Sequence, residues 1–219
     1  MISVIELDNV IPEVFAADPA DTPAATSHVW RDSVSFVKPR GYLVVAASGT
    51  GKSSLCSYIY GSRHDYNGAI KFDGTDIREF NADRWSEIRR TALAYLPQEI
   101  NLFPELTALE NILLKNRLTD YFSETDIRGM LERLKIDDKA DVPAGCLSIG
   151  QQQRVGIIRS VCQPFDFILL DEPVSHLDAA NNALAAGLLT EQADIRRASI
   201  VATSVGNHLQ FDPANTFRL

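Results

Sequence analysis

An apolar run that leads directly into a glycine-rich turn is the feature that most constrains the fold of this chain. Residues 41–47 are mainly apolar, residues 48–53 read Ser-Gly-Thr-Gly-Lys-Ser, and a helix-compatible run follows. Glycines let the backbone turn tightly enough for several N–H groups to point at one anion, and the following helix N-terminus adds its dipole. We therefore expect a strand, a phosphate-binding loop and a helix. The expected loop residues are Ala46, Ala47, Ser48, Gly49, Thr50, Gly51, Lys52, Ser53 and Ser54.

Three positions of this loop have specific expectations attached to them. Lys52 is expected to reach the β- and γ-phosphates of a nucleoside triphosphate, and the Ser53 hydroxyl is expected to ligate Mg²⁺. Ala46 stands where such loops usually begin with glycine, and alanine fits there if its φ angle is negative. The alternative, a chance glycine-rich turn, would not require the strand and helix signals on either side.

A second apolar run ends in two carboxylates. Residues 167–170 are Phe-Ile-Leu-Leu, and Asp171 and Glu172 follow directly. In open α/β sheets, ligands bind at the edge where the strands end. Asp171 is therefore a candidate Mg²⁺ ligand, and Glu172 is the candidate carboxylate that polarises an attacking water.

The order of these segments predicts an α/β fold. Short apolar runs at residues 43–47, 93–96, 167–170 and 200–203 are typical of buried strands in a mostly parallel sheet. Between the second and third runs, Thr107 with Glu110 and Ser123 with Asp126 have the spacing of helix capping boxes. We expect a mixed, mostly parallel sheet, an N-terminal antiparallel β region with an exposed loop at residues 17–26, and an inserted helical subdomain. The expected division is a nucleotide-binding core of about residues 1–98 and 164–219 and a helical subdomain of about residues 99–163.

Composition argues against two other classes of protein. Lys and Arg number 21, Asp and Glu number 29, and the net charge is −8. Proteins that grip a nucleic-acid backbone carry clustered cations, so no nucleic-acid partner is expected. No apolar run approaches the roughly 18 residues that span a bilayer, and the first residues do not read as a signal peptide. Any membrane role is expected to come through a partner.

The cysteines indicate neither a disulfide framework nor a metal site. The chain has three, Cys56, Cys146 and Cys162, and their spacing matches no common metal motif. We expect buried or inert thiols in a reducing cytoplasm.

Residues 144–154 carry the most specific pattern in the chain. Leu147-Ser148-Ile149-Gly150-Gln151 resembles the Leu-Ser-Gly-Gly-Gln signature of ATP-binding cassette (ABC) proteins. Residues 173–178 resemble the D-loop of that family, and Gln98 stands where it has its Q-loop glutamine. The resemblance spans essentially all of residues 1–219, and it implies a single ABC ATPase domain with a P-loop NTPase core.

The resemblance assigns further roles. Ser148 and Gln151 also have capping-box spacing, which predicts a helix that runs to about Gln163. In the family, two domains pair head to tail and each signature closes over the nucleotide of its partner. This implies a second ABC ATPase domain, identical or different, and an integral membrane permease. The implied ATP contacts outside the loop are Phe15, with Trp30 as its rival for stacking on adenine, Ser148, Gly150, Gln151 and Asp178. The implied Mg²⁺ ligands are Ser53, Gln98 and Asp171, and the implied catalytic residues are Glu172, Gln98 and Ser204.

Two departures from the family pattern bear on the rate. Ile149 replaces the first signature glycine, and Ser204 stands where the family has its switch histidine. His208 would replace that histidine only if the loop after Ser204 folds back; the alternative is a solvated loop histidine. Loss of one well-placed polar group typically costs about a hundredfold or more in rate. We therefore expect hydrolysis that is either slow or confined to the other site of a heterodimer.

The resemblance implies the ATP-hydrolysing subunit of a membrane transporter, cytoplasmic and held on the inner face of the membrane by its permease. Residues 101–112 resemble the lipoprotein-release and macrolide-export branch; the alternative is an ordinary amphipathic helix start, with Leu106, Leu109, Ile112 and Leu113 in the core. Two other functions stay open: a degenerate cassette that dimerises on ATP with little hydrolysis, and a soluble ABC protein outside transport.

Overall fold

The computed structural model describes residues 1–17 and 22–219, which form two β-sheets with helices packed against them. The strands are β1 (Val4–Pro12), β2 (Ser33–Val37), β3 (Gly41–Val45), β4 (Tyr66–Phe72), β5 (Thr75–Asp76), β6 (Leu93–Leu96), β7 (Phe167–Asp171), β8 (Ser199–Ser204) and β9 (Asn215–Arg218). The α-helices are α1 (Glu13–Ala16), α2 (Lys52–Ile59), α3 (Ala82–Thr91), α4 (Ala108–Asn116), α5 (Glu124–Arg133), α6 (Ile149–Val161) and α7 (Ala179–Arg196).

The larger sheet has five strands in the order β6-β7-β8-β3-β9, and all of its pairings are parallel. Its central strands β7 and β8 are buried along their whole length, as their continuous apolar sequences require. The predicted α/β class is confirmed. The expected N-terminal antiparallel region is also present, and its strand pairings form a separate sheet.

The smaller sheet has four strands in the order β2-β1-β4-β5. Its inward residues, such as Leu7 and Phe36, share one hydrophobic cluster with Val44 of β3 and Leu55 of α2. Of the loop expected at residues 17–26, residues 18–21 lie outside the described part of the chain. The expectation of exposure is wrong for Ala24, which is buried within a short 3-10 helix, Pro23–Thr26.

The segment between β6 and β7 carries helices α4, α5 and α6. Thr107 and Ser123 begin α4 and α5 with the predicted capping boxes. Leu109 and Ile112 are buried, which agrees with the core alternative for residues 101–112. Helix α6 starts at the predicted place and ends at Val161, two residues before the expected end. The boundaries of the proposed helical subdomain remain a prediction.

Two further expectations concern membranes and thiols. Within residues 1–17 and 22–219, no helix has the length and apolar character that crossing a bilayer requires. Cys56 and Cys162 are buried, and burial raises the pKa of both thiols, that of Cys162 to about 12. Cys146 is exposed, so of the expected buried or inert thiols it is not one of the buried ones, and its inertness stays a prediction.

The strand order brings the predicted site residues to one edge of the parallel sheet. Val45 at the end of β3 pairs with Ser204 at the end of β8, and Asp171 at the end of β7 pairs with Thr203. The phosphate loop follows β3 and Glu172 follows β7. The two acidic residues and the loop therefore lie on either side of the end of β8.

Candidate active site

The phosphate loop is fixed by contacts beneath and within it. The Ala46 amide donates to the Ser204 carbonyl (3.1 Å), and the indole N–H of Trp30 donates to the Thr50 carbonyl (3.0 Å). The Thr50 hydroxyl donates to the Ala47 carbonyl (2.9 Å). The φ angle of Ala46 is not positive, so alanine is compatible with this position. Gly49 and Gly51 have φ angles of 81° and 94°, which residues other than glycine rarely adopt.

The two aromatic candidates for adenine stacking have different surroundings. Trp30 is buried, and its ring would lie 3.1 Å from a Cβ added at Gly51, so it supports the loop from below. Phe15 on α1 is half-buried and lines the cavity above the loop. The structure therefore favours Phe15 over Trp30 as a residue that a bound base can reach, and adenine contact by Phe15 stays a prediction.

Helix α2 begins without a side-chain cap. Helices α3 to α7 each start with a side chain that accepts a hydrogen bond from a first-turn amide. At the start of α2, Gly51 adopts the left-handed conformation, and no described side chain caps the helix. Uncapped amides at a helix N-terminus bind anions, with the helix dipole adding to the attraction. This helix start is therefore suited to a phosphate group.

Lys52 provides a buried cation at this place. Its side chain is 6% exposed, and its ammonium donates to the Ala47 carbonyl at 2.9 Å. The same nitrogen lies 3.6 Å from Oε1 of Glu172. The expected phosphate-binding lysine and the expected catalytic carboxylate are thus neighbours, although they are far apart in sequence.

Asp171 has the environment of a metal ligand. Its side chain is 1% exposed, and Oδ1 accepts from the Thr203 hydroxyl at 2.7 Å. Oδ2 is buried and has no hydrogen-bond partner among the described residues. An ionised carboxylate oxygen is costly to bury without a partner, so this atom fits a cation or a metal-bound water.

Ser53 and Gln98 supply further oxygens at the cavity. The Ser53 hydroxyl donates to Oε1 of Gln98 at 3.4 Å, and both residues line the cavity. No group of three His, Cys, Asp or Glu side chains suited to a metal occurs in the described part of the chain. Hydroxyl, amide and carboxylate oxygens suit Mg²⁺, which keeps several waters and phosphate oxygens in its shell. The residues present therefore fit Mg²⁺ better than a metal held entirely by protein ligands.

The backbone of Glu172 is held on both sides by residues that sequence reasoning did not single out. Its φ angle is 50°, in the left-handed region. Its amide donates to the Thr203 hydroxyl (3.2 Å), and its carbonyl accepts from the side-chain amide of Gln153 (3.2 Å). Thr203 is the second-last residue of β8 and Gln153 closely follows the signature, so position alone could have suggested them; the contacts themselves could not be read from sequence.

A cavity of about 440 Å³ lies above the loop and joins these groups. Its predicted lining residues are Phe15, Ser48, Gly49, Gly51, Lys52, Ser53, Ser54, Gln98 and Glu172. Pro12 and Val14 also line it and were not predicted. The other predicted loop residues, Ala46, Ala47 and Thr50, do not line the cavity.

The signature residues lie apart from this cavity. Ser148 and Gln151 form the predicted capping box at the start of α6, and Ile149 is 56% exposed. A Cβ added at Gly150 would lie 3.0 Å from the His176 carbonyl oxygen, so a side chain there would crowd the segment before α7. The expected contact with the nucleotide of a second domain stays a prediction for these residues.

Asp178 has a structural contact in this chain. Its carboxylate caps α7 by accepting from the Asn181 amide (2.8 Å), and this bond lowers the pKa of Asp178. Its expected ATP contact also stays a prediction.

The loop after β8 folds back on itself. Ser204 is 1% exposed, its hydroxyl donates to the Asn207 carbonyl (2.9 Å), and Oγ lies 2.6 Å from Nδ1 of His208. Of the two alternatives left open for this loop, the structure shows the folded-back one, and replacement of the switch histidine by His208 stays a prediction. His208 is exposed but bound through one ring nitrogen. A catalytic role for Ser204 stays a prediction.

Comparison with known proteins gives the same assignment as these motifs. A family model described as ABC transporter matches residues 32–175, which include the phosphate loop, the signature and the acidic strand. An uncharacterized ABC transporter ATP-binding protein of Mycobacterium tuberculosis is 34% identical over 164 residues, 74% of this chain and 50% of that protein. The phosphonates import ATP-binding protein PhnC of Frankia casuarinae is 32% identical over 185 residues, 78% of this chain and 73% of that protein.

A solved structure has the same fold. The dimeric structure of MJ0796, a bacterial ABC transporter cassette, gives a TM-score of 0.75 at 23% identity, over 91% of this chain and 87% of that one. The matched part of this chain spans only 50% of the length of the M. tuberculosis relative. The matched family model covers more than half of the chain and contains every residue that lines the cavity except Pro12, Val14 and Phe15. The chain therefore belongs to the ABC transporter family.

Proposed function

We propose that this chain binds and hydrolyses ATP as the cassette subunit of a membrane transporter, and that it works as a dimer with a second ATPase domain. The observation that carries the proposal is the convergence of Lys52, Ser53, Gln98 and Glu172 on one cavity at the start of an uncapped helix. Each group has the chemistry that one part of phosphoryl transfer requires.

In this proposal, the loop amides and Lys52 bind the β- and γ-phosphates. The Lys52 ammonium exchanges its contact with Glu172, now 3.6 Å away, for phosphate oxygens. The released carboxylate of Glu172 then accepts a hydrogen bond from the attacking water and orients it. Mg²⁺, when bound by Ser53, Gln98 and Asp171, neutralises phosphate charge. Phe15 stacks on adenine at the mouth of the cavity.

The second domain is needed because Ser148, Gly150, Gln151 and Asp178 do not line the cavity of their own chain. An exposed signature helix start is suited to the phosphates of a partner's nucleotide. The permease partner and a location at the cytoplasmic face of the membrane are inferred from relatives named as transport ATPases. Assignment to the lipoprotein-release and macrolide-export branch remains our hypothesis, tested by identifying the permease that co-purifies with the chain.

One observation favours a second candidate, a cassette that binds ATP and dimerises but turns over slowly. The Ser204 hydroxyl is occupied within its own loop, and the side chain of Ile149 is exposed at the start of the signature helix. Both features would weaken stabilisation of charge on the γ-phosphate without weakening ground-state binding by Lys52.

The experiment is to measure ATP binding by calorimetry and ATP hydrolysis by phosphate release, each with Mg²⁺, for wild type and Lys52→Ala. Removing the cavity's buried cation should weaken ATP binding at least tenfold. Equal affinity of the two proteins would overturn the phosphate-loop assignment. Single-turnover hydrolysis by wild type distinguishes the two candidates: the ATPase completes a turnover within minutes, whereas the binding cassette retains ATP.

A further inference from the structure

We propose that Gln153 is a positioning residue that holds Glu172 in the conformation needed for hydrolysis. This inference rests on the proposed ATPase function of Glu172. The Gln153 side chain is 3% exposed and projects from α6 onto the segment that follows β7. Its amide nitrogen donates to the Glu172 carbonyl at 3.2 Å and to the Ser175 hydroxyl at 3.4 Å. Its amide oxygen accepts from the His176 backbone N–H at 3.0 Å.

Glu172 needs these hydrogen bonds because its backbone has a conformation that residues other than glycine rarely adopt. Its φ angle is 50°, and a non-glycine residue keeps this conformation only where its surroundings impose it. The direction of the Glu172 side chain follows from that backbone conformation. If the segment relaxed to a negative φ, the carboxylate would leave its place 3.6 Å from the Lys52 ammonium.

Two side chains hold the peptide groups on either side of the Glu172 α-carbon. The Thr203 hydroxyl accepts from the amide, and Gln153 donates to the carbonyl. Thr203 lies on the same sheet, so it holds Glu172 to β8, whereas Gln153 comes from the helical region. The hydrogen bond from Gln153 therefore couples the position of Glu172 to helix α6.

The chemistry of glutamine suits this role. A primary amide offers donors and an acceptor at the end of one side chain, and here both kinds are used on consecutive parts of the same turn. Methionine has similar length and offers no N–H donor. Gln153→Met would leave the Glu172 carbonyl without this donor and the His176 amide without its acceptor, so that the Ser175 amide (3.3 Å) would be the remaining donor to that carbonyl among the described residues and the turn would be held less firmly.

The test compares Gln153→Met with Gln152→Met. Gln152 is the neighbouring residue of the same helix, and its side chain also donates to backbone carbonyls, those of Ala144 (3.0 Å) and Leu147 (3.2 Å). It makes no such contact with the turn at Glu172. We expect Gln153→Met to lower kcat at least tenfold and to change the Kd for ATP less than threefold, because Lys52 and the loop are untouched. We expect Gln152→Met to keep kcat within twofold of wild type.

A role limited to stability is separated by repeating the measurement in the Glu172→Gln background. If Gln153 acts through the carboxylate, Gln153→Met lowers the residual rate there by less than twofold. An equal loss in both backgrounds, or an unchanged kcat in an otherwise wild-type chain, would overturn the proposal.

If Gln153→Met does not fold, Gln153→Glu takes its place. Glutamate keeps the acceptor for His176 and loses the donor to Glu172, so the same fall in kcat is expected. Failure of both variants to fold would refute a positioning role and show a structural one. The wild-type chain is assayed before any variant is made. If it binds ATP but does not hydrolyse it, the proposed ATPase function is overturned together with this inference.

Discussion

Replacing Thr203 with valine tests the hydrogen bonds that join the two acidic residues to the sheet. Valine has nearly the shape of threonine, so the exchange removes the hydroxyl without opening a cavity. That hydroxyl donates to Oδ1 of Asp171 and accepts from the Glu172 amide. Asp171 is 1% exposed, and its other oxygen already has no partner among the described residues. In the variant the Asp171 carboxylate would lose its one hydrogen-bond donor among the described residues while remaining out of reach of solvent.

A hydrogen bond to a charged group contributes about 1.5–3 kcal/mol to stability. For a domain of this size, 1 kcal/mol shifts Tm by roughly 2–4 °C. We therefore expect Thr203→Val to lower Tm by about 3–12 °C, measured by calorimetry without nucleotide or Mg²⁺. Thr203→Ser, which keeps the hydroxyl, is the control, and it should lower Tm by less than Thr203→Val does. A Tm for the valine variant within 1 °C of wild type would refute the assigned hydrogen bonds.

Three further predictions follow from the site and its surroundings. Glu172→Gln should bind ATP at least as tightly as wild type and hydrolyse it at least a hundredfold more slowly; wild-type phosphate release would exclude Glu172 as the catalytic carboxylate. Ser204→Ala and His208→Ala should each lower the free energy of unfolding by about 0.5–1.5 kcal/mol. Because the two side chains share one hydrogen bond, the double variant should lower it by less than the sum of the two single effects. Additive losses in urea denaturation would contradict the 2.6 Å contact between Ser204 Oγ and His208 Nδ1. A thiol reagent should modify Cys146 in the native protein and the two buried cysteines only after unfolding, since burial raises the pKa of those thiols; fast modification of all three would show that the core is open.

Local chemistry explains why much of the site could be predicted. The phosphate loop, the carboxylates after β7 and the three capping boxes each lie within a few residues, so their spacing alone fixes how they fold. The location of the site at one edge of the sheet could also be predicted, because the carboxyl ends of parallel strands lie at the same edge. Lys52, Ser53, Gln98 and Glu172 accordingly line one cavity.

What sequence reasoning missed depends on contacts between distant parts of the chain. Gln153 and Glu172 lie 19 positions apart, and Asp171 and Thr203 lie 32 apart. The support of the loop by Trp30 and the left-handed backbone of Glu172 have no local signature either. The fold of the loop after β8 could not be decided from sequence for the same reason, since Asn207 is held by the carbonyls of residues 174 and 177, which lie 33 and 30 positions away in the chain.

If ATP binds as proposed, the uncapped start of helix α2 makes the nucleotide a part of the fold. Every other α-helix of eight or more residues in the described chain supplies its own N-terminal cap, whereas α2 leaves that place to the ligand. Phosphate oxygens there complete the hydrogen bonding of a secondary-structure element that connects the parallel sheet to the antiparallel one. A ligand at a hundred times its Kd stabilises a protein by about 2.7 kcal/mol. For this chain, that stabilisation should appear first as slower amide exchange in the opening turn of α2, so that an empty cassette is a less completely folded one.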